Sequence, residues 1–348
     1  MSNVLKPLNV AVLGATGRVG QEIISVLEER NFPVENFTPI ASARSAGKKV
    51  KFKGKDYEIV EASEEVFKSQ DIVLASAGSD ISKKWVDAIV DAGCVIIDNS
   101  SAFRMDEGTP LVVPEVNGEV LKEHRGVIAN PNCSTSQLVV VLKLLDDMVP
   151  ITRVVVSTYQ SVSGAGKEGM DELEQQSRQL LDGKSVKPNV IPKQIAFNLV
   201  PHIDVFTEDG YTKEEVKVIQ ETRKILNKPD LKVTCTAVRV PVLVSHSESV
   251  LVEFEKNVSP SQVREALANS PGVEVWDEPE NAHYPTPVDT AGLDPVYVGR
   301  IRRDTSSENG INMWVVADNL RIGAALNAVR IAEYLVEHNL LKKLVNTQ

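Results

Sequence analysis

Three glycines spaced three apart, in Gly14-Ala15-Thr16-Gly17-Arg18-Val19-Gly20, follow an apolar run from Leu8 to Leu13 and lead into a stretch where Ile23, Ile24, Val26 and Leu27 recur at helical spacing. A glycine-rich turn between a first strand and a first helix lets backbone amides approach a pyrophosphate, which the positive end of the helix then holds. That order commits the N-terminal part of the chain to a β-α-β unit and hence to a parallel sheet. On this reading Gly14, Thr16, Gly17, Arg18 and Val19 are candidate dinucleotide contacts. An ordinary tight turn is the alternative.

The alternation continues. Phe37 to Ala41, Ile72 to Ala75 and Cys94 to Asp98 read as short buried strands, with a helix from Ile81 to Ala92 between the last two. Ligands of open α/β sheets sit at the carboxyl ends of such strands, so Ser76 and Gly78 after the third run join the candidate cofactor contacts. The second strand ends in Ser42-Ala43-Arg44-Ser45, where an NAD enzyme usually carries an acid for the ribose hydroxyls. Arg44, with Ser42 and Ser45 beside it, suits a 2′-phosphate, which predicts NADP. The bland reading is a solvated basic loop. Arg104, in the polar loop Asn99-Ser100-Ser101-Ala102-Phe103-Arg104 after the fourth strand, is a candidate anion binder.

A chain of 348 residues exceeds what one hydrophobic core usually organises, so two domains are expected. Lys and Arg number 38 against 48 Asp and Glu, a net charge of -10. This disfavours nucleic acid as a partner and requires local cations for any anionic ligand. Cys94, Cys133 and Cys235 have no paired spacing, which predicts neither a disulfide framework nor a metal site and suggests a reducing compartment. The N-terminal segment lacks a signal-peptide core, and no stretch approaches the about 18 apolar residues of a membrane span. A cytoplasmic protein with no membrane partner is expected.

Reactive chemistry is expected at Asn130-Pro131-Asn132-Cys133-Ser134-Thr135-Ser136-Gln137, which runs into the apolar Leu138 to Leu142. Pro131 and Asn132 stop what precedes, and the Ser/Thr cluster can supply N-caps, placing Cys133 in the first turn of a helix or just before it. There the free amides and the helix dipole favour the thiolate, the nucleophilic form. A small buried residue at a helix start is the alternative for a lone cysteine.

Beyond this helix the texture changes to an α+β pattern. Thr152 to Tyr159 alternates like a strand of a mixed or antiparallel sheet and leads into a Gly/Ser loop from Gln160 to Lys167. A helix from Met170 to Asp182, an irregular proline-bearing segment from Lys184 to Asp209 and a helix opened by a Thr212–Glu215 capping box follow. Glu214 and Lys217 share a helix face, where an ion pair is the default. Leu231 to Arg239 and Ser249 to Glu255 read as strands, with Arg239 and His246 in an apolar surround. Ser259 to Leu267 reads as a helix, Val273 to Trp276 as a strand, Val296 to Arg302 and Ile311 to Asp318 as a hairpin, and Gly323 to His338 as a helix that packs back on the first domain. The fold class is thus α/β: a Rossmann-type dinucleotide-binding domain over 1–133, completed by 322–348, and an α+β catalytic and dimerisation domain with a mixed sheet over 134–321.

With the glycine turn, Arg44 and the Asn-Cys-Ser-Thr run in place, the chain resembles the aspartate-β-semialdehyde dehydrogenases over essentially its whole length. The most specific matches are residues 130–135, Ser101-Ala102-Phe103-Arg104, Arg239-Val240-Pro241-Val242 with Ser245-His246-Ser247, and Asp318-Asn319-Leu320-Arg321. The resemblance implies Cys133 as the acyl-thioester nucleophile, His246 as acid/base and Gln160 as the group orienting the substrate. It further implies Arg239 at the substrate carboxylate, Glu214 at its amine, Asn132 as a substrate contact, and Arg104 with Lys217 at phosphate. Ser163 and Gly164 match a cofactor loop, and Asn319 a nicotinamide contact. The implied reaction is reversible NADP-dependent reductive dephosphorylation of aspartyl phosphate to aspartate semialdehyde, releasing inorganic phosphate, on the route to Lys, Thr, Met and Ile. A homodimer or tetramer is implied as well. Two rivals are a related acyl-phosphate reductase, such as N-acetyl-γ-glutamyl-phosphate reductase, which is expected to carry a glycine-bearing nucleophile motif, and a non-enzymatic NADP-sensing protein.

Overall fold

The structure, a computed structural model, describes residues 7–341; the expectations made for the N-terminal segment and for the end of 322–348 fall outside them. The chain divides into two compact units, Met1–Pro131 with Ala324–Gln348, and Asn132–Gly323.

In the first unit the strands are β1 (Leu8–Leu13), β2 (Val34–Ala41), β3 (Lys49–Phe52), β4 (Lys55–Glu58), β5 (Val60–Glu61), β6 (Ile72–Ala75), β7 (Val95–Asp98) and β8 (Val127–Ala129). Six of them form a wholly parallel sheet in the order β5-β2-β1-β6-β7-β8. Every residue of β6 and β7 is buried, as expected of strands covered by helices on both faces. The helices are α1 (Arg18–Glu29), α2 (Glu64–Lys68), α3 (Ser79–Asp91) and the short α4 (Pro114–Asn117), with a C-terminal helix at Leu326–Glu337. Chain order reverses between β1 and β6, so the turns after these two strands flank the crevice where such sheets bind ligands.

The β3–β4 hairpin is absent from the sequence reading. Its turn is Lys53-Gly54, both at positive φ, and its Phe52 ring stacks on Phe37 at 4.5 Å. The C-terminal helix packs on α1, where Glu333 accepts two 2.8 Å hydrogen bonds from Arg30. It begins later than the expected Gly323, because Arg321–Ala325 forms a wide π turn first.

In the second unit β9 (Ile151–Gln160), β10 (Lys232–Arg239), β11 (His246–Phe254), β12 (Val273–Val275), β13 (Val296–Arg303) and β14 (Gly310–Ala317) form a mixed sheet in the order β10-β9-β11-β14-β13-β12. Only β9/β10 and β12/β13 are parallel pairs. Alternate residues of β11, namely His246, Glu248, Val250, Val252 and Phe254, are buried. Helix α5 (Cys133–Met148) packs against β9, β11, β13 and β14, and against α7 (Lys213–Ile225) and α8 (Pro260–Ala268). Its unbroken buried run from Ser134 to Leu142 reflects an element covered on most sides.

Element starts around the Gly/Ser loop and β11 differ from the sequence reading. Strand β11 starts at His246 rather than Ser249, because backbone pairing to β9 and β14 extends through Ser247 and His246. Helix α6 starts at Gly166 rather than Met170 (Gly166–Leu181), and Val162–Ala165 of the Gly/Ser loop is a 3-10 turn. The short α9 (Pro287–Thr290) was not anticipated.

Candidate active site

Cys133 is the first residue of α5. The cap is Asn132 rather than the Ser/Thr cluster: its Oδ1 accepts from the amides of Ser134 (3.0 Å) and Thr135 (3.3 Å). Asn132 is itself fixed from α7, since its amide donates to Glu221 (2.6 Å) and its Nδ2 to Glu214 Oε1 (2.7 Å). A third constraint is Gly323, where an added Cβ would stand 2.6 Å from the Cys133 Cβ and 2.9 Å from its Cα.

The partner of the thiol is His246, whose Nε2 lies 3.2 Å from Sγ. The imidazole is fully buried, and its Nδ1 accepts from the backbone amide of Ser161 at 3.1 Å. A nitrogen that accepts carries no proton, so the neutral ring holds its hydrogen on Nε2 and directs it at the sulfur. Burial, reinforced by the nearby Arg239 charge, holds the His246 pKa well below the ordinary histidine range. The residue before it, Ser245, is at φ +74°, a conformation a serine seldom adopts; Asn319 Oδ1 takes its amide (2.9 Å) and Thr290 donates to its hydroxyl (3.1 Å). The same Asn319 Oδ1 accepts from the Ser161 and Ser163 hydroxyls, each at 3.1 Å. The Gly/Ser loop and the entry to β11 are therefore joined by one buried amide.

Around this pair stand the groups of a small zwitterionic substrate. Arg239, at the end of β10, is buried; Nη1 donates to the Ser161 carbonyl (2.8 Å) and would meet a Cβ on Gly164 at 2.8 Å. Burial lowers its pKa, against the charges of Glu214 and Cys133 that favour the cation. Gln160 donates to Glu214 Oε1 (3.2 Å) and Thr158 (3.2 Å). Lys217 contacts Glu214 Oε2 at 3.4 Å, the expected intrahelical pair, and also reaches Asp204 at 2.7 Å. Burial of Asp204 opposes its charge, but the hydrogen bonds from Lys217 and the Val205 amide, together with the charges of Lys217 and Lys213, outweigh it and hold the carboxyl below the usual range.

These residues, Asn132, Cys133, Gln160, Glu214, Lys217, Arg239 and His246, share the second unit with Ser163, Gly164 and Asn319. Arg104 belongs to the first unit, where it is buried and donates to the carbonyls of Asn130 (2.9 Å) and Asn99 (2.8 Å).

In the first unit a cavity of about 410 Å³ is lined by Gly14, Thr16, Gly17, Ser42 and Ser76. Its floor needs glycine: at Gly14, φ +93°, a Cβ would lie 2.9 Å from the Ser76 carbonyl carbon, and at Gly20 one would lie 2.2 Å from Gly14 O. This backbone cradle fits a dinucleotide phosphate group. Gly78, φ +86°, caps α3, Arg44 is exposed on the loop after β2 with Ser45 buried beside it, and half-buried Val19 lies in the first turn of α1. Arg18 pairs with Glu22 at 3.4 Å. Glu61, Lys84 and Trp85 also line the cavity and escaped the sequence reading. Glu61 is brought there by β5 pairing with β2, a contact between strands that no local pattern announces.

Family models for the NAD binding domain and the dimerisation domain of semialdehyde dehydrogenases match residues 9–124 and 142–322. Aspartate-semialdehyde dehydrogenases of Aquifex aeolicus and Bacillus subtilis are 54% and 48% identical to this chain, covering 95% and 96% of it and 99% of each relative. The chain belongs to the aspartate-semialdehyde dehydrogenase family. A crystal structure of aspartate semialdehyde dehydrogenase II from Vibrio cholerae, complexed with ASA, superposes with a TM-score of 0.93 at 49% identity, over 95% of this chain and 99% of that one. The Candida albicans family member with NADP gives 0.75 at 27% identity, over 97% of this chain and 100% of that one. Membership fixes a nicotinamide dinucleotide as the cofactor class and an oxidoreductase as the enzyme class. Among the described residues no helix is long and apolar enough to cross a membrane.

Proposed function

We propose that the chain reduces L-aspartyl-4-phosphate to L-aspartate-4-semialdehyde with NADPH, reversibly, through a thioester on Cys133. The observation that carries this reading is the 3.2 Å contact of Cys133 Sγ with the Nε2–H of a neutral, buried His246. That hydrogen, together with the helix terminus, favours the thiolate. In the oxidative direction the thiolate adds to the aldehyde carbon, and the carbonyl oxygen becomes an alkoxide that the Nε2–H can stabilise. NADP, when bound, accepts the hydride that the alkoxide expels, leaving the Cys133 thioester. Phosphate then attacks the thioester carbon and releases the thiolate; the proton that hydrogen phosphate brings leaves on the acyl phosphate and passes to solvent, so the cycle closes with no net proton on His246. The Ser161 amide opposes a second proton on the ring, which supports a hydrogen-bond donor here in place of the acid/base implied by resemblance.

Arg239, a rigid fork, suits the substrate carboxylate, and Glu214 with Gln160 suits its ammonium group. Lys217 supplies charge for phosphate in the second unit. Arg44 supports NADP over NAD, and we assign cofactor binding to the first unit and catalysis and dimerisation to the second. A homodimer, or a tetramer built from it, is the expected assembly. Cys94, Cys133 and Cys235 form no disulfide with one another, which supports a cytoplasmic location. The test is phosphate-dependent formation of NADPH from L-aspartate semialdehyde: the parent should show it and Cys133→Ala should not, while keeping its fold and NADPH binding. Activity above a few per cent in that variant would remove the nucleophile assignment.

A further inference from the structure

Glu248 is fully buried on β11, on the face of the sheet that packs against α5, and neither of its carboxyl oxygens sits in a well-formed hydrogen bond, although Gln137 lies within reach as a donor. A third orphan is nearby in the same layer: Oε1 of Gln137, a side chain on α5 that is also fully buried. Gln137 is the polar side chain that acts on the Glu248 carboxyl, and its Nε2 also points at the His246 carbonyl, 3.4 Å away. If Glu248 were ionised, a carboxylate would sit in the core; Gln137 could give it one hydrogen from Nε2, but its second oxygen and Gln137 Oε1 would both remain acceptors with no hydrogen to share.

One proton changes this arithmetic. A neutral carboxylic acid offers one donor and one acceptor side by side, as does a primary amide. The acid O–H can give to Gln137 Oε1 while the acid carbonyl accepts one hydrogen of Nε2, the other remaining for His246 O. All three orphans are then satisfied together. We propose that Glu248 carries a proton and closes a two-bond acid–amide ring with Gln137 that braces α5 against β11 at the Cys133–His246 pair. Gln137 is one helical turn from Cys133, and Glu248 is two residues from His246 on the same strand face, so the ring fixes the spacing of the two elements that set the 3.2 Å contact. Glu248 and Gln137 are positioning residues: neither touches the reacting atoms.

The surroundings keep the proton in place. Across the sheet Glu248 pairs with Thr158 of β9 and Val315 of β14, neither charged. The titratable groups nearby are His246 on its own strand and Cys235 of β10, whose thiol is pushed up by burial and further by the acids Glu215 and Glu214, so it brings no charge. Burial raises the Glu248 pKa well above the ordinary glutamate value. A raised folded-state pKa gives stability that is complete below the unfolded value, near 4.5, and lost as pH rises toward the folded one. Glu248→Gln keeps a neutral amide that can pair with Gln137, so it should become more stable than the parent by a margin that widens from pH 5 to pH 8.

The kinetic consequence rests on the reading of Cys133 as nucleophile, whereas the proton does not, and the two are measured apart. Infrared difference spectra of parent minus Glu248→Gln at pH 7.5, with no substrate, should show the carbonyl stretch of a protonated carboxyl that shifts in D2O; carboxylate bands instead would overturn the proposal. Alkylation of Cys133 by iodoacetamide and phosphate-dependent turnover should stay within about threefold of the parent in Glu248→Gln. Both should fall about tenfold or more in Gln137→Leu and Glu248→Leu, because displacements near 1 Å can cost on the order of a hundredfold. Parent rates in the leucine variants would show that the ring does not position the pair. Should Glu248→Leu fail to fold, Gln137→Leu and the spectra still decide.

Discussion

Gly323→Ala adds one methyl group and tests whether the close approach of Gly323 to the start of α5 holds the nucleophile in place. The new Cβ would lie 2.6 Å from the Cys133 Cβ, 2.9 Å from its Cα and 3.2 Å from its carbonyl oxygen, where 3.4 Å is the near edge of ordinary contact. Relief therefore needs a movement of about 0.8 Å (3.4 minus 2.6) at the first turn of a helix, and no rotamer change can supply it because two of the three atoms are backbone. Overpacking of this kind costs about 1–3 kcal/mol, which for a protein of this size corresponds to a Tm drop of roughly 1–4 °C. The same movement changes the 3.2 Å Sγ–Nε2 contact, and kcat should fall by about 10- to 100-fold. The assay is kcat for semialdehyde oxidation beside the alkylation rate of Cys133, with circular dichroism to establish the fold. A folded Gly323→Ala with parent kcat and parent alkylation rate would refute the argument that this glycine sets the thiol position.

Arg44→Asp should weaken NADP binding far more than NAD, since charge-assisted bonds are worth about 1.5–3 kcal/mol; equal losses for both would show that Arg44 does not read a 2′-phosphate. Lys217→Ala should raise the apparent KM for phosphate yet keep a burst of one NADPH per site when phosphate is omitted, whereas Arg239→Lys should slow that burst by losing the planar fork; the opposite pattern exchanges the two anion sites. His246 is depressed below its unfolded value of 6.5, so the stability from burying it neutral is present above that pH and lost as pH falls. The acid limb of kcat/KM should accordingly lie below pH 6.5, and a limb at or above that value would contradict a neutral donor.

What could be read in the sequence is what neighbouring residues decide. The glycine turn sits between a strand and a helix whose patterns are both local, and Cys133 is placed by a proline and an apolar run within ten positions of itself, although the cap is Asn132 and not the expected Ser/Thr cluster. The Thr212–Glu215 capping box is formed as read, with both of its hydrogen bonds present. Where distant segments meet, the sequence is silent. Glu61 reaches the cavity only because β5 lies beside β2, and the π turn at Arg321–Ala325 has no period of its own.

His246 shows the limit most plainly. Its residue type and apolar surround were visible, and so was the possibility that a nucleophile needs it, but its protonation is set by the Ser161 amide, 85 positions away in the chain. That amide is aimed because Asn319 gathers Ser161, Ser163 and the strained Ser245 on a single side-chain oxygen. The order of causes thus runs opposite to the chain: residue 319 fixes the loop at 161, the loop fixes which nitrogen of His246 holds the hydrogen, and only then does the contact with Cys133 acquire a direction. Replacing Asn319 should therefore disturb the thiol through the imidazole tautomer, without touching either residue of the pair.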